Sequence, residues 1–277
     1  MKTAFLILGA QRSGTSVTSH LLSKLGVCFG NPEHFLQDNH NPNFFELKWV
    51  NQYNDRILQT IGHRYTDAFF PLETDYEGDS LSETLHERIL TLEQTLGDRI
   101  QQEWPNEPII GIKDPRFSLT FPVWQRVLSH LGYRFNIVLV FRHPSDFLRS
   151  NQKLFHNWEG WTVERHLHFW LRLTLAGIYF TRDYPVCWVD YDQVMTHPLE
   201  VAQGLADRFN LDHQLADQAA AVVDRTYQHH RQSSPTGYPL FDRAYQSLKS
   251  HHLSSADYLS YRLSMLQPAM PDPDARP

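Results

Sequence analysis

AFLILGAQRSGTSVTSHLLSKL, residues 4–25, decides how the chain begins to fold. Ala4 to Leu8 is an unbroken apolar run, as a strand covered on both faces requires, and Gly9 ends it. From Thr15 onward Val17, Leu21, Leu22 and Leu25 recur at the three-to-four spacing of one helix face. Between strand and helix, Gly9 and Gly14 enclose Arg12 and Ser13, and Thr15 and Ser16 open the helix. Strand, glycine-bounded loop and helix in that order suit a turn whose backbone N–H groups surround an anion, with the positive end of the helix behind them. Glycines would also serve a loop that merely turns the chain. The strand–loop–helix setting favours the anion cradle.

The same alternation continues outward. Ile109 to Ile112 reads as a buried strand, then Leu119 to Leu131 as a helix. Phe135 to Phe141 is the strongest strand in the chain, and Ser145 to Leu154 the helix after it. Trp161 to Phe180 is a long helix, Val186 to Val189 a fourth strand, and helical segments follow to about Phe209. Strands alternating with helices predict an α/β fold: a central parallel sheet with helices on both faces. Residues 31–104 carry little strand character. Phe45 to Ile61 and Leu81 to Trp104 read as two helices of an insertion over the sheet. One domain over residues 1–266 is expected, with a flexible tail over 267–277 that holds Pro268, Pro271, Pro273 and Pro277.

Composition narrows the possibilities. The chain has 277 residues, 41% hydrophobic and 20% charged, with a formal net charge of −6. That length buries a sizeable core, and 7 Trp, 12 Tyr and 17 Phe are too many for a disordered chain. No apolar run approaches the ~20 residues of a membrane-spanning helix. The chain opens on its strand without a charged-then-apolar leader, which points to the cytoplasm. The acidic balance argues against a nucleic-acid binder. Cys28 and Cys187 both sit in strand-like apolar runs and read as buried thiols.

The loop departs from the triphosphate-binding pattern GxxxxGK[ST], because Thr15 stands where that pattern has Lys. The strongest strand leads into Arg142, where a magnesium-binding chain would offer Asp. Both departures count against a kinase. Arg142 leaves the carboxyl end of the sheet, where α/β folds bind ligands, and Ser150 lies about two turns into the next helix. A guanidinium and a hydroxyl so placed can converge on one phosphate.

Taken together, GAQRSGTS (residues 9–16) and FRHPSDFLRS (residues 141–150) resemble the two donor motifs of sulfotransferases that use 3′-phosphoadenosine-5′-phosphosulfate (PAPS). GIKDPR (residues 111–116) is similar to a Lys-Asp-Pro segment of the bacterial and tyrosylprotein-type members. The resemblance covers roughly residues 4–210 and implies a P-loop-type α/β fold. It assigns Arg12, Ser13, Gly14, Thr15 and Ser16 to the 5′-phosphosulfate, and Arg142 and Ser150 to the 3′-phosphate. PAPS would be a co-substrate, and no metal is expected, since the leaving group is already a good anion. Sulfuryl transfer builds negative charge on the bridging oxygen, so Arg12 and Lys113 are the candidate electrostatic catalysts, each worth ~3–4 kcal/mol of barrier.

The acceptor hydroxyl needs a base. Asn41 to Glu46 (NPNFFE) resembles the Gly-Tyr/Trp-Glu stretch of bacterial members, with Phe44 in place of the Gly. Flanking aromatics would raise the Glu46 carboxyl toward neutrality. Glu46 would equally serve as a helix-opening acid at the start of the 45–61 helix, and His34 and His40 are rival bases. Arg116 is expected to pair with Asp114, Tyr227 to Arg231 to form a solvated basic patch, and Trp158 and Trp161 to pack in the core. His229-His230 and His251-His252 lack partners at metal-ligand spacing. The expectation is a sulfotransferase acting on a hydroxyl of a carbohydrate or small molecule, bound under residues 31–104. A nucleotide kinase and a non-catalytic nucleotide-binding module are the alternatives.

Overall fold

The structure, a computed structural model, describes residues 2–37, 44–67, 71–76, 82–154, 161–224 and 234–266. Four strands, β1 (Lys2–Leu8), β2 (Ile109–Lys113), β3 (Tyr133–Phe141) and β4 (Val186–Asp190), form one sheet in the order β2-β1-β3-β4. Every pairing is parallel, with Leu6 opposite both Ile112 and Ile137. Parallel neighbours need crossover connections, and helices supply them. They are α1 (Thr15–Lys24), α2 (Lys48–Thr60), α3 (Glu83–Glu103), α4 (Phe117–His130), α5 (Pro144–Leu154) and α6 (Val163–Phe180). After β4 come α7 (Tyr191–Thr196), α8 (Pro198–Phe209), α9 (Ala216–Ala220), α10 (Pro239–Lys249) and α11 (Ser255–Leu266).

The two-residue period of β1 divides the core. Ala4, Leu6 and Leu8 join Ile137, Leu139, Trp124 and Trp170 on one face, the face of α4 and α6. Phe5 and Ile7 join Val138, Val140, Leu21, Leu22 and Leu205 on the other, the face of α1 and α8. Helices therefore cover both faces, as the apolar runs predict. In the insertion, α2 is tied to α4 by buried Asn54, whose Oδ1 accepts from Thr120 Oγ1 and from Trp124 Nε1, both at 2.7 Å.

Two expectations are corrected. The helix read over 45–61 starts only at Lys48. Phe45 takes a left-handed φ of 54° and packs against Phe29 and Phe35, while Leu47 bridges to Phe35. Glu46 is thus a buried residue ahead of the helix, not its first acid. Of the two thiols, Cys187 is buried but Cys28 only half-buried. The chain also continues past the last element read from sequence. α10 packs on α5 and α6, and α11 on α6. His40, Trp158, residues 227–231 with His229-His230, and the 267–277 tail lie outside the described residues.

Candidate functional site

All four strands deliver a residue to the same edge of the sheet. β1 runs into the glycine loop, where Gly9, Arg12 and Gly14 all have positive φ (135°, 62° and 97°). The glycines are dictated by space as well as by backbone. A Cβ on Gly9 would stand 2.2 Å from the Val140 carbonyl oxygen, and one on Gly14 2.3 Å from the Tyr191 ring. Gly14 caps α1 and offers no side chain to its first N–H groups. Ser13 is completely buried, and its Oγ has no hydrogen-bond partner. An unpartnered buried hydroxyl costs ~1–3 kcal/mol. Beside an uncapped helix N-terminus it fits an incoming phosphate or sulfate oxygen.

The second cation comes from β3. Arg142 is buried, with its guanidinium 4.2 Å above the Tyr191 ring and Nη1 donating to the Arg12 carbonyl at 3.2 Å. Its Nε is buried without a hydrogen-bond partner, which again fits an anion. Arg12 Nε donates to Ser150 Oγ at 3.0 Å. The two pockets assigned to opposite ends of one ligand therefore meet at Arg12, which touches the group expected to hold the 3′-phosphate.

Beyond the loop, on the other side of β1, β2 ends in Lys113. Its Nζ donates to Glu46 Oε1 at 2.5 Å, to the Phe44 carbonyl at 3.0 Å and to Ser16 Oγ at 3.1 Å, and lies 4.6 Å from the Phe44 ring centre. All three ammonium protons are thereby engaged. Burial pushes the Glu46 carboxyl up to about 7; the Lys113 charge opposes the rise and Asp114 adds to it. Lys113, Glu46 and Ser16 are thus brought together, with a carboxyl that exchanges its proton near neutrality.

Arg116 does meet Asp114, at 3.4 Å, but its shorter contact is with Asp55, at 2.7 Å. His34 is held by Glu103 at 2.8 Å, and the same carboxylate accepts from Trp49 Nε1, so this histidine belongs to the α3 anchor. Trp161 packs on Phe169 and carries Arg165 above its ring. His251 stacks on Trp188. Among the described residues no group of three or more His, Cys, Asp or Glu could hold a metal ion.

Four residues of this edge escape the sequence reading: Gln11, Tyr65, Asn151 and Tyr191. Two of them adjoin residues it names, and Tyr191 directly follows the last buried strand, at the ligand edge of the sheet. Tyr65 donates to Gln11 of the loop at 3.0 Å, and its ring meets Phe169 at 5.1 Å. Thr66 and Asp67, the next residues of the chain, line a cavity of about 310 Å³ with Trp161, Phe169 and Arg172, among others.

The loop, Arg12, Arg142 and Lys113 gather positive charge and helix N–H groups at one edge of a parallel α/β sheet. Residues 4–215 match the model of the sulfotransferase family, and the chain belongs to that family. One solved structure supports the fold. A sulfotransferase domain from the curacin biosynthetic pathway is 15% identical, with a TM-score of 0.51 over 90% of this chain and 98% of that one. The sulfotransferase STF1 from Mycobacterium tuberculosis H37Rv is 16% identical, with a TM-score of 0.46 over 84% of this chain and 74% of its own. No curated protein matches the sequence.

Proposed function

We propose that the protein is a cytoplasmic, PAPS-dependent sulfotransferase that moves the sulfuryl group to a hydroxyl of a carbohydrate or other small acceptor and releases 3′,5′-adenosine bisphosphate. The observation that carries this reading is the convergence of Arg12, Ser150 and Arg142 beside a glycine loop with an orphaned buried hydroxyl. Two cations and a hydroxyl in one place suit a dianion such as a ribose 3′-phosphate. Ser13, Gly14, Thr15 and Ser16 present hydroxyls and helix N–H groups to the 5′ side. The sulfur–oxygen bond to the phosphate breaks as the bond to the acceptor oxygen forms. Lys113 turns a proton toward the leaving side, giving up its bond to Ser16, and Glu46 takes the proton of the acceptor hydroxyl. A carboxyl that titrates near 7 is matched to that task. The acceptor enters through the cavity that Thr66 and Asp67 of the insertion form with the start of α6.

Thermal melting with 3′,5′-adenosine bisphosphate and with Mg²⁺-ATP tests the donor. The bisphosphate at ~100 times its dissociation constant should add about 2.7 kcal/mol of stability, and Arg142→Ala should abolish that gain while keeping the far-ultraviolet spectrum. Stabilisation by Mg²⁺-ATP alone would overturn the proposal in favour of a kinase. Transfer of radiolabelled sulfate to a panel of hydroxyl acceptors then separates an enzyme from a binding module.

A further inference from the structure

Arg12 holds a left-handed backbone, φ 62°, that a side chain disfavours. Such a residue persists where its surroundings over-determine it, and here they do. Gln11, its neighbour, is fixed at both ends of its amide. Oε1 accepts from the Tyr65 hydroxyl at 3.0 Å, and Nε2 donates to Asn151 Oδ1 at 2.8 Å. Asn151 is completely buried, and its Nδ2 donates to Nδ1 of His166 on α6 at 2.9 Å. One step away, Arg12 bonds Ser150 at 3.0 Å. Consecutive residues of the loop, 11 and 12, therefore bind consecutive residues of α5, 151 and 150, in a two-rung clasp. The outer rung continues into a polar chain, Tyr65 to Gln11 to Asn151 to His166, in which every proton has one direction. His166 accepts at Nδ1 and so carries its proton on Nε2.

We propose that Gln11 and Asn151 are positioning residues of the donor site: their bond fixes the glycine loop to α5, so that Arg12 and Ser150 meet and the loop keeps the shape that receives the anion. The inference rests on the reading of this edge as the donor site. A bond that only held the protein together would lower its melting temperature and leave the affinity of the folded protein unchanged. A positioning bond instead moves affinity, because the anion would have to restore the loop's shape at its own expense.

The test uses Gln11→Leu, Asn151→Leu and the double variant, with calorimetric titration of 3′,5′-adenosine bisphosphate well below each variant's melting temperature. Each single variant should bind at least tenfold more weakly, and the double variant well short of the product of the two losses, since both break the same Gln11–Asn151 bond. In turnover the KM for PAPS should rise with the dissociation constant while the KM for the acceptor holds. Folded variants that bind like the wild type, or a double variant showing the product of the two losses, would overturn the inference while the donor reading stands. A wild type that fails to bind the bisphosphate sinks the donor reading and the clasp's role with it. Should the leucine variants not fold, Gln11→Glu provides an independent readout. Its carboxylate can only accept, so the Asn151 amide must turn and His166 must carry its proton on Nδ1. Nitrogen-15 shifts of His166 report that exchange, and an unchanged ring would overturn the clasp.

Discussion

Substituting Lys113 by Met keeps the length of the side chain and removes its charge. Lys113 and Glu46 are both buried and 2.5 Å apart. Removing one partner of such a pair strands the other at a cost of about 3–5 kcal/mol. Glu46 can escape that cost by taking up a proton, so the loss depends on pH. In the wild type, burial raises this carboxyl from 4.5 to about 7. A raised value means that the folded state holds the proton more tightly than the unfolded one. The contribution is complete below pH 4.5 and declines as pH rises to about 7, by about 3 kcal/mol at ~1.4 kcal/mol per tenfold in proton affinity. Without Lys113 the folded value climbs above 7, and the decline continues into alkaline solution. Lys113→Met should therefore cost little at pH 5 and up to about 3 kcal/mol at pH 9, two further pH units at ~1.4 kcal/mol each. Urea unfolding of both proteins at pH 5, 6, 7, 8 and 9 measures the difference. In a Glu46→Gln background, where neither protein carries the carboxyl, Lys113→Met should cost the same at every pH. A loss equal at every pH would refute the reasoning, because it would mean that no carboxyl is linked to Lys113.

Gly14→Ala meets the Tyr191 ring at 2.3 Å with φ at 97°, whereas Gly26→Ala meets nothing within 4 Å with φ at 98°. Both should lose the ~1–2 kcal/mol of a left-handed alanine, and Gly14→Ala about 1–3 kcal/mol more from overpacking; equal losses in thermal unfolding would contradict the tight passage under Tyr191. Asn54→Leu should destabilise by about 1–3 kcal/mol, because it strands the buried Trp124 Nε1 that Asn54 accepts at 2.7 Å. A neutral result in urea would show that this bond does not tie α2 to α4.

The opening strand, the loop and α1 were legible because their signals are local: an apolar run, two glycines and a helical spacing. The parallel sheet followed from the repetition of that unit. The start of α2 was not, because Phe45 enters a left-handed turn to join Phe29 and Phe35, a tertiary demand that overrides the pattern around it. α10 goes unread although Phe241, Ala244, Tyr245 and Leu248 lie on one buried face. Within the site, residue types could be named from motifs and resemblance, but their pairings could not. Arg12 with Ser150, Lys113 with Glu46, and Tyr191 beneath Arg142 are contacts across the sheet edge, set by strand order and register. Gln11, Tyr65 and Asn151 matter only through one another, so nothing in any single one of them announces the clasp.

The sheet also acts as a ruler. Lys113, the glycine loop, Arg142 and Tyr191 leave the ends of β2, β1, β3 and β4 in the spatial order of the strands. Neighbouring strands are ~4.8 Å apart, so the outermost of these groups stand about 14 Å from one another. A lone phosphate or sulfate can engage only one graduation of that scale, and a molecule must carry its charges at the right separation to be measured along the whole of it. Because the spacing is written in backbone hydrogen bonds, it stays the same whatever side chains the helices of residues 31–104 carry.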